Sequence, residues 1–319
     1  MKAFEPHSLG IVLSTVTDSE ATQVIDTAVK AEQAGINAVY INEGRGDALS
    51  AVLAIALATE KILLGTNIAN IYFRHAYLAS HTARTIAELS GDRFIFGIGM
   101  SHRGLLATLG IDMGDARQYL EDYTTQVKAA LNGELGKGFL QTEKAAIVPP
   151  VYVAGNTIES AAIAGRAGDG LMPFLSPRAY LPTLIEAASS ARGDRCPCII
   201  SIPTFLDEDV EQARSAARYN LAFFALLPNY RKQWRRAGYK TAMDQIQANQ
   251  KNQSRRELAE YIPDELVDEV CIYGSVDDCK RQIAAFRDAG ADQPVLAVSP
   301  VNEDRHTATL RAIERLAGS

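Results

Sequence analysis

The chain has 319 residues, 47% hydrophobic and 22% charged, which is enough apolar content to bury a large core. A net charge of −6 without a basic stripe argues against nucleic acid as a partner. No apolar run approaches the ~20 residues that cross a bilayer, and the opening MKAFEPHSLG has neither the apolar core of a signal peptide nor a transit-peptide composition, so the expectation is a cytoplasmic protein.

Leu9–Ser14 reads as a buried strand, followed by a helix over Ser19–Gln33 that Gly35 ends. Ala38–Ile41 is a second strand, closing in Asn42-Glu43-Gly44-Arg45-Gly46-Asp47, and Ala48–Thr59 the next helix. Ile62–Leu64 is a third strand that passes through Gly65, Thr66, Asn67 and Asn70, residue types that tolerate unusual backbone angles, into a third helix. Arg93–Ile98 is a fourth strand, ending in Gly99-Met100-Ser101-His102-Arg103, and helical patterns run on to Leu131.

Asn132–Val148 breaks the alternation and reads as an insertion loop. Strands over Val151–Ala154, Gly170–Pro173 and Cys198–Ile202 then alternate with helices over Thr157–Ala167 and Pro177–Arg192. Glu208–Glu260 is a long helical region with few strand signals, part of a second insertion over 205–262. A helix over Ser275–Ala289, a strand over Pro294–Val298 and a helix over Arg305–Leu316 complete the chain. Eight near-continuous apolar strands alternating with helices predict an α/β fold: a single (β/α)8 TIM barrel with insertions. A doubly wound open sheet is the rival, and the absence of Gly-x-Gly-x-x-Gly after the first strand counts against its dinucleotide-binding form.

In such barrels the site lies at the carboxyl ends of the strands. Here that collects Ser14-Thr15, Asn42-Glu43, Thr66 to Asn70, Gly99 to His102, Gly155-Asn156-Thr157, Phe174 to Ser176, Thr204 and Ser299. There is no His-x-His, no strand-end Lys for a Schiff base and no carboxylate cluster, so metal hydrolases and Schiff-base aldolases drop out. Amides, hydroxyls and glycines suit a flat polar cofactor that brings its own reactivity. The turn Gly155-Asn156-Thr157 reads equally as an anion site at a helix amino end or as an N-cap. On the anion reading, Gly155→Val weakens cofactor binding with the fold intact. His102 is a candidate proton donor or a plain loop histidine, and His75 serves to hold the loop. The cluster Arg231, Lys232, Arg235 and Arg236 around Trp234 could grip a polyanionic tail or form a solvated helix face. Cys196, Cys198, Cys271 and Cys279 lack zinc-site spacing and read as structural thiols.

Leu64-Gly-Thr-Asn-Ile-Ala-Asn-Ile-Tyr-Phe-Arg-His75 and Thr85-Ile-Ala-Glu-Leu-Ser-Gly-Asp-Arg-Phe-Ile-Phe-Gly-Ile-Gly99 resemble the bacterial-luciferase-like superfamily. So do Val153-Ala-Gly155, Ala164-Gly-Arg-Ala-Gly-Asp-Gly170 and Tyr273-Gly-Ser-Val-Asp-Asp, in the same order along nearly the whole chain. The nearest branch is that of deazaflavin (coenzyme F420) oxidoreductases such as methylenetetrahydromethanopterin reductase.

The resemblance implies a homodimeric barrel binding coenzyme F420, or alternatively FMN, at the strand mouths, with a small-molecule substrate. It also implies a cis non-proline peptide at Asn67-Ile68 whose bulge backs the ring. The implied cofactor residues are Asn42, Thr66, Asn67, Ile68, Ala69, Gly99, Ser101, Gly155, Asn156 and Thr157, with Glu43 and His102 as catalytic candidates and no metal. The chain departs from the branch at Ile71 and Ala76, where the reductase pattern has prolines, and at Asn42-Glu43, where the sugar-phosphate dehydrogenases carry Asp-His. The implied activity is hydride transfer to or from the deazaflavin. A reduced-FMN monooxygenase and a non-catalytic flavin-binding barrel are the alternatives.

Overall fold

Apolar runs and amphipathic stretches alternate along the chain as expected. The computed structural model describes residues 4, 7–14, 21–44 and 46–318; Thr15, Ser19 and Arg45, named above, lie outside the described residues. The first half comprises β1 (Gly10–Ser14), α1 (Ala21–Ala34), β2 (Ala38–Asn42), α2 (Ala48–Ala58), β3 (Leu63–Thr66), β4 (Ala69–Asn70), α3 (Ala76–Ser90), β5 (Phe94–Gly99), α4 (Arg103–Ala107) and α5 (Ala116–Leu131). It continues through β6 (Val151–Val153), α6 (Ile158–Ala167), β7 (Gly170–Leu171), α7 (Leu181–Arg192) and β8 (Ile199–Leu206). Five helices come next, α8 (Val210–Ala225), α9 (Pro228–Arg236), α10 (Lys240–Asn249), α11 (Arg255–Ala259) and α12 (Asp264–Val270). The chain then completes β9 (Ile272–Gly274), α13 (Val276–Asp288), β10 (Gln293–Val298) and α14 (Arg305–Leu316).

All strand pairs are parallel, in the order β7-β6-β5-β3-β2-β1-β10-β8-β9. Bridges Leu171↔Cys198 and Phe174↔Ser201 join β7 to β8 and close the ring into the expected (β/α)8 barrel. Two strands were not expected. β4 is a two-residue run that pairs with Ile98 and Gly99 of β5. β9 pairs with the far end of β8, which extends four residues beyond Ile202. At three residues, β9 is too short to show periodicity. The helix expected after His102 is broken into α4 and α5 by Gly110 and Gly114, both at positive φ.

The core has three parts. One lies between the strands and the outer helices, one inside the block α8–α12, and one inside the barrel. The barrel interior holds Tyr40, Ile95, Tyr152, Met172, Ile199 and Val295 as a closed floor. Glycines make room for its rings: a Cβ on Gly65 would stand 2.5 Å from the Tyr40 ring, and one on Gly170 2.2 Å from that of Tyr152. The buried Tyr40 hydroxyl donates to Gln293 Oε1 at 2.5 Å. The four cysteines are buried and free, and burial pushes every thiol pKa up, which keeps them as inert core residues. Among the described residues no helix is long and apolar enough to cross a membrane.

The fold motifs are structural. Arg93 is buried and spends Nε, Nη1 and Nη2 on the carbonyls of Ser90, Ile62, Ala56 and Thr59, tying the end of α2 to β3 and β5. A Cβ on Gly165 would stand 2.0 Å from the Ala188 carbonyl, so that glycine sets the approach of α6 to α7. Gly65→Ala is expected to overpack the floor and cost about 1–3 kcal/mol in urea denaturation. An unchanged midpoint would show that the Tyr40 ring can move aside.

Candidate active site

The mouth is organised by the chain between β3 and α3. Thr66 is buried and donates its hydroxyl to the Gly97 carbonyl at 2.6 Å. The next peptide, Asn67-Ile68, is cis, as the resemblance implied. Asn67 N donates to the Ile41 carbonyl at 2.8 Å, and the Ile68 carbonyl accepts from Glu43 N at 3.3 Å. Ile68 leans over β5: a Cβ on Gly99 would meet Ile68 Cγ1 at 2.8 Å, so Gly99 makes room for the bulge. Ala69 and Asn70 are buried beside it in β4.

Glu43 binds this loop together. Its side chain is 1% exposed, and Oε2 accepts from Asn70 N at 2.6 Å and Arg74 Nη1 at 2.9 Å. Oε1 accepts from Arg74 Nη2 at 2.5 Å and Ala48 N at 3.3 Å. With four donors on its two oxygens, the carboxylate is an anchor. These bonds occupy the acceptor positions that a general base would use. Burial works against the Arg74 charge, but the Glu43 bonds and charge outweigh it and hold the guanidinium pKa above its ordinary value. His75 caps α3, its Nδ1 accepting from Tyr77 N, which is the loop-holding role expected of it.

The exits of β5, β6 and β7 form the other side. Ser101 stands at positive φ, followed by His102, whose Nδ1 lies 3.2 Å from Asn229 Oδ1 and whose ring packs 5.4 Å from that of Tyr230. Burial lowers the His102 pKa, with the Asn229 bond opposing it. Asn156 Oδ1 accepts from Phe174 N at 2.9 Å, joining the β6 and β7 exits. Asn42 closes β2, beside Glu43.

Of the two readings of the turn at Gly155, the N-cap is the one on view. Thr157 is the N-cap of α6, in a capping box with Ser160. Glu159 sits in the first turn, its pKa drawn down to about 2 chiefly by the Arg236 hydrogen bond and also by its own backbone N–H. A Cβ on Gly155 would stand 2.9 Å from Leu171 and 3.1 Å from Ala161 N, so this glycine packs strand against helix and opens no cradle. The basic cluster of α9 is likewise engaged: Arg231 is buried and donates to the Ala225 carbonyl, Arg235 pairs with Asp244, and Arg236 with Glu159.

The sequence pointed to this helix only through its basic residues, and did not single out Asn229 and Tyr230. Two open clefts, of about 500 and 310 Å³, lie elsewhere. In the larger, Lys128 pairs with Asp169, Arg166 with Glu121 and Arg192 with Asp194. Among the described residues no group of three His, Cys, Asp or Glu could hold a metal ion.

Fold and mouth together define a (β/α)8 barrel whose strand exits carry amides, hydroxyls and one internally paired carboxylate. Residues 8–293 match the luciferase-like monooxygenase family, and the chain belongs to that family. It is 25% identical over 311 residues to a 5,10-methylenetetrahydromethanopterin reductase of Methanolobus tindarius, covering 92% of this chain and 95% of the relative. It is 26% identical over 319 residues to a putative coenzyme F420-dependent oxidoreductase of Mycobacterium tuberculosis, covering 88% and 92%. Its fold matches the coenzyme F420-dependent tetrahydromethanopterin reductase of Methanopyrus kandleri with a TM-score of 0.77 at 18% identity, over 98% of this chain and 97% of the other.

Removing one partner of a buried ion pair strands the other charge. Arg74→Met is therefore expected to cost about 3–5 kcal/mol in urea denaturation, and Glu43→Gln distinctly less. Equal, small losses would show that water reaches the pair. Gly155→Ala is expected to lose about 1–3 kcal/mol of stability through its clash with α6, and an unchanged urea midpoint would restore the open-cradle reading.

Proposed function

We propose that this protein is an oxidoreductase that moves a hydride between coenzyme F420, a deazaflavin held in the strand mouth, and a small organic substrate. The observation that carries this reading is a pair of buried amide donors without partners, Asn67 Nδ2 and Asn70 Nδ2, beside the bulge. An unpaired buried donor costs roughly 1–3 kcal/mol, and such donors match the carbonyl-rich edge of a deazaflavin. Ser201 Oγ is a third such group. Ile199 packs in the barrel interior, so Ser201, two residues on, faces the same way.

Asn67, Asn70 and Ser201 would hold the ring's polar edge, and Ile68, backed by Gly99, would support its face. When bound, the coenzyme supplies a carbon that gives or accepts hydride. The chain supplies everything around that step. Glu43 and Arg74 fix the bulge, Phe174 and Tyr230 wall the mouth from water, and His102 exchanges a proton with the substrate. Arg117 and Arg236 flank Glu159 at 3.8 and 3.0 Å, leaving a positive rim beside α6 that suits an anionic tail. The names of the relatives support this reading. FMN in place of the deazaflavin is the second reading, favoured by the monooxygenase character of the family.

Titration of the protein with coenzyme F420 and, separately, FMN, followed by fluorescence and visible absorbance, distinguishes the two. The expected result is saturable coenzyme F420 binding with weaker FMN binding, and tight FMN binding without coenzyme F420 affinity would overturn the proposal. Asn67→Leu is expected to leave the melting temperature unchanged or raised, since an unpaired buried donor is removed, and to weaken coenzyme F420 binding about tenfold. Undiminished affinity in that variant would move the ring away from Asn67.

A further inference from the structure

One face of α9, formed by Asn229, Tyr230, Gln233 and Trp234, rests on the mouth from outside the barrel. Asn229 reaches His102 after β5, and Tyr230 packs on both His102 and Phe174, the latter ring 6.1 Å away and edge-on. Gln233 Nε2 and Trp234 Nε1 both donate to the Leu175 carbonyl after β7, at 3.1 and 3.0 Å, and Leu175 itself sits at positive φ. At the end of the helix, Arg236 holds Glu159 after β6 through two bonds of 3.0 and 3.2 Å. One short helix thus grips three consecutive strand exits.

The bond to His102 has a chemical consequence. An amide oxygen only accepts, so Nδ1 must carry the proton in that pair, which leaves the lone pair of the neutral ring on Nε2. We infer that Asn229 is a positioning residue that fixes His102 in the Nδ1–H tautomer, so that Nε2 takes and returns the substrate proton. This inference rests on the proposed hydride transfer. With a bound coenzyme supplying the acceptor for hydride from a substrate C–H bond, Nε2 would take the O–H or N–H proton as a carbon–heteroatom double bond forms. In the opposite direction the protonated ring returns that proton.

Among the described residues no competing charge faces the imidazole from these elements. Neighbouring Arg103 turns to Asp112 and the Gly114 carbonyl, and from α9 the groups in contact are Asn229 and Tyr230. Burial keeps the Tyr230 phenol protonated. The amide and the desolvation of the ring therefore set its basicity.

The test reads the ring itself in the full-length protein without added coenzyme, so it stands apart from the cofactor assignment. Nitrogen-15 and proton NMR of the imidazoles, with His102→Gln identifying one signal among the five histidines, gives tautomer and titration midpoint. The expected wild-type result is the Nδ1–H tautomer with a midpoint below the ordinary histidine value. Asn229→Asp places a carboxylate against Nδ1–H and is expected to raise the midpoint by about one pH unit or more. Asn229→Leu is expected to release the tautomer toward Nε2–H, with the melting temperature near wild type. A wild-type ring in the Nε2–H form, or a midpoint unmoved by Asn229→Asp, would overturn the inference. If coenzyme F420 binds, the acid limb of kcat against pH should move up with the Asn229→Asp midpoint while KM stays within about threefold. A stationary limb would remove His102 from the proton step even if its tautomer is as stated.

Discussion

The geometry of the mouth depends on one buried ion pair. The Glu43 carboxylate collects donors from the start of α2, from β4 and from the arginine that leads into α3, so one side chain fixes three segments at once. Desolvating both charges cancels much of their attraction, which makes such a pair a poor source of net stability. Its contribution is position. The turn from β3 is rich in polar backbone with little apolar surface of its own, and without a charge at its centre several loop shapes would be comparable in energy. Thr66 and Asn67 then need only short bonds to Gly97 and Ile41 to complete the shape.

The two sides of the mouth are made differently. The bulge side is local: β2, β3 and the loop into α3 lie within about thirty residues of one another, and Glu43 bonds to Arg74 across that span. The opposite side is assembled from a distance, with His102 meeting Asn229, 127 positions away. A barrel can therefore keep the bulge side of its mouth while the helical block between β8 and β9 changes, and with it the opposite wall. This division fits a fold that hosts many chemistries by varying the loops at its strand exits.

The same division explains what could be read from the sequence. The alternation of apolar strands and helices is a repeated signal, and it located the eight barrel strands with small errors at their ends. The motifs that carried the resemblance were legible because scaffold geometry demands them: Arg93 must satisfy the last carbonyls of α2, and Gly165 must let two helices touch. Those residues do no chemistry. The bonds of Glu43 and the packing at Gly155 were not legible, because residue type announces a carboxylate or a missing side chain but not the donors and neighbours around it. Asn229 was invisible because an asparagine in a basic helix points to nothing until folding brings His102 against it.

The tyrosine-filled floor has a consequence for traffic. With Tyr40 and Tyr152 wedged against glycines, the interior is filled with side chains beneath the strand exits, and a molecule bound at the mouth would rest on that floor. Were one molecule to lie against the bulge and a smaller one to settle on top of it, the lower would have to arrive first and the upper to depart first. Steady-state kinetics with two reactants stacked in that way would obey a compulsory order.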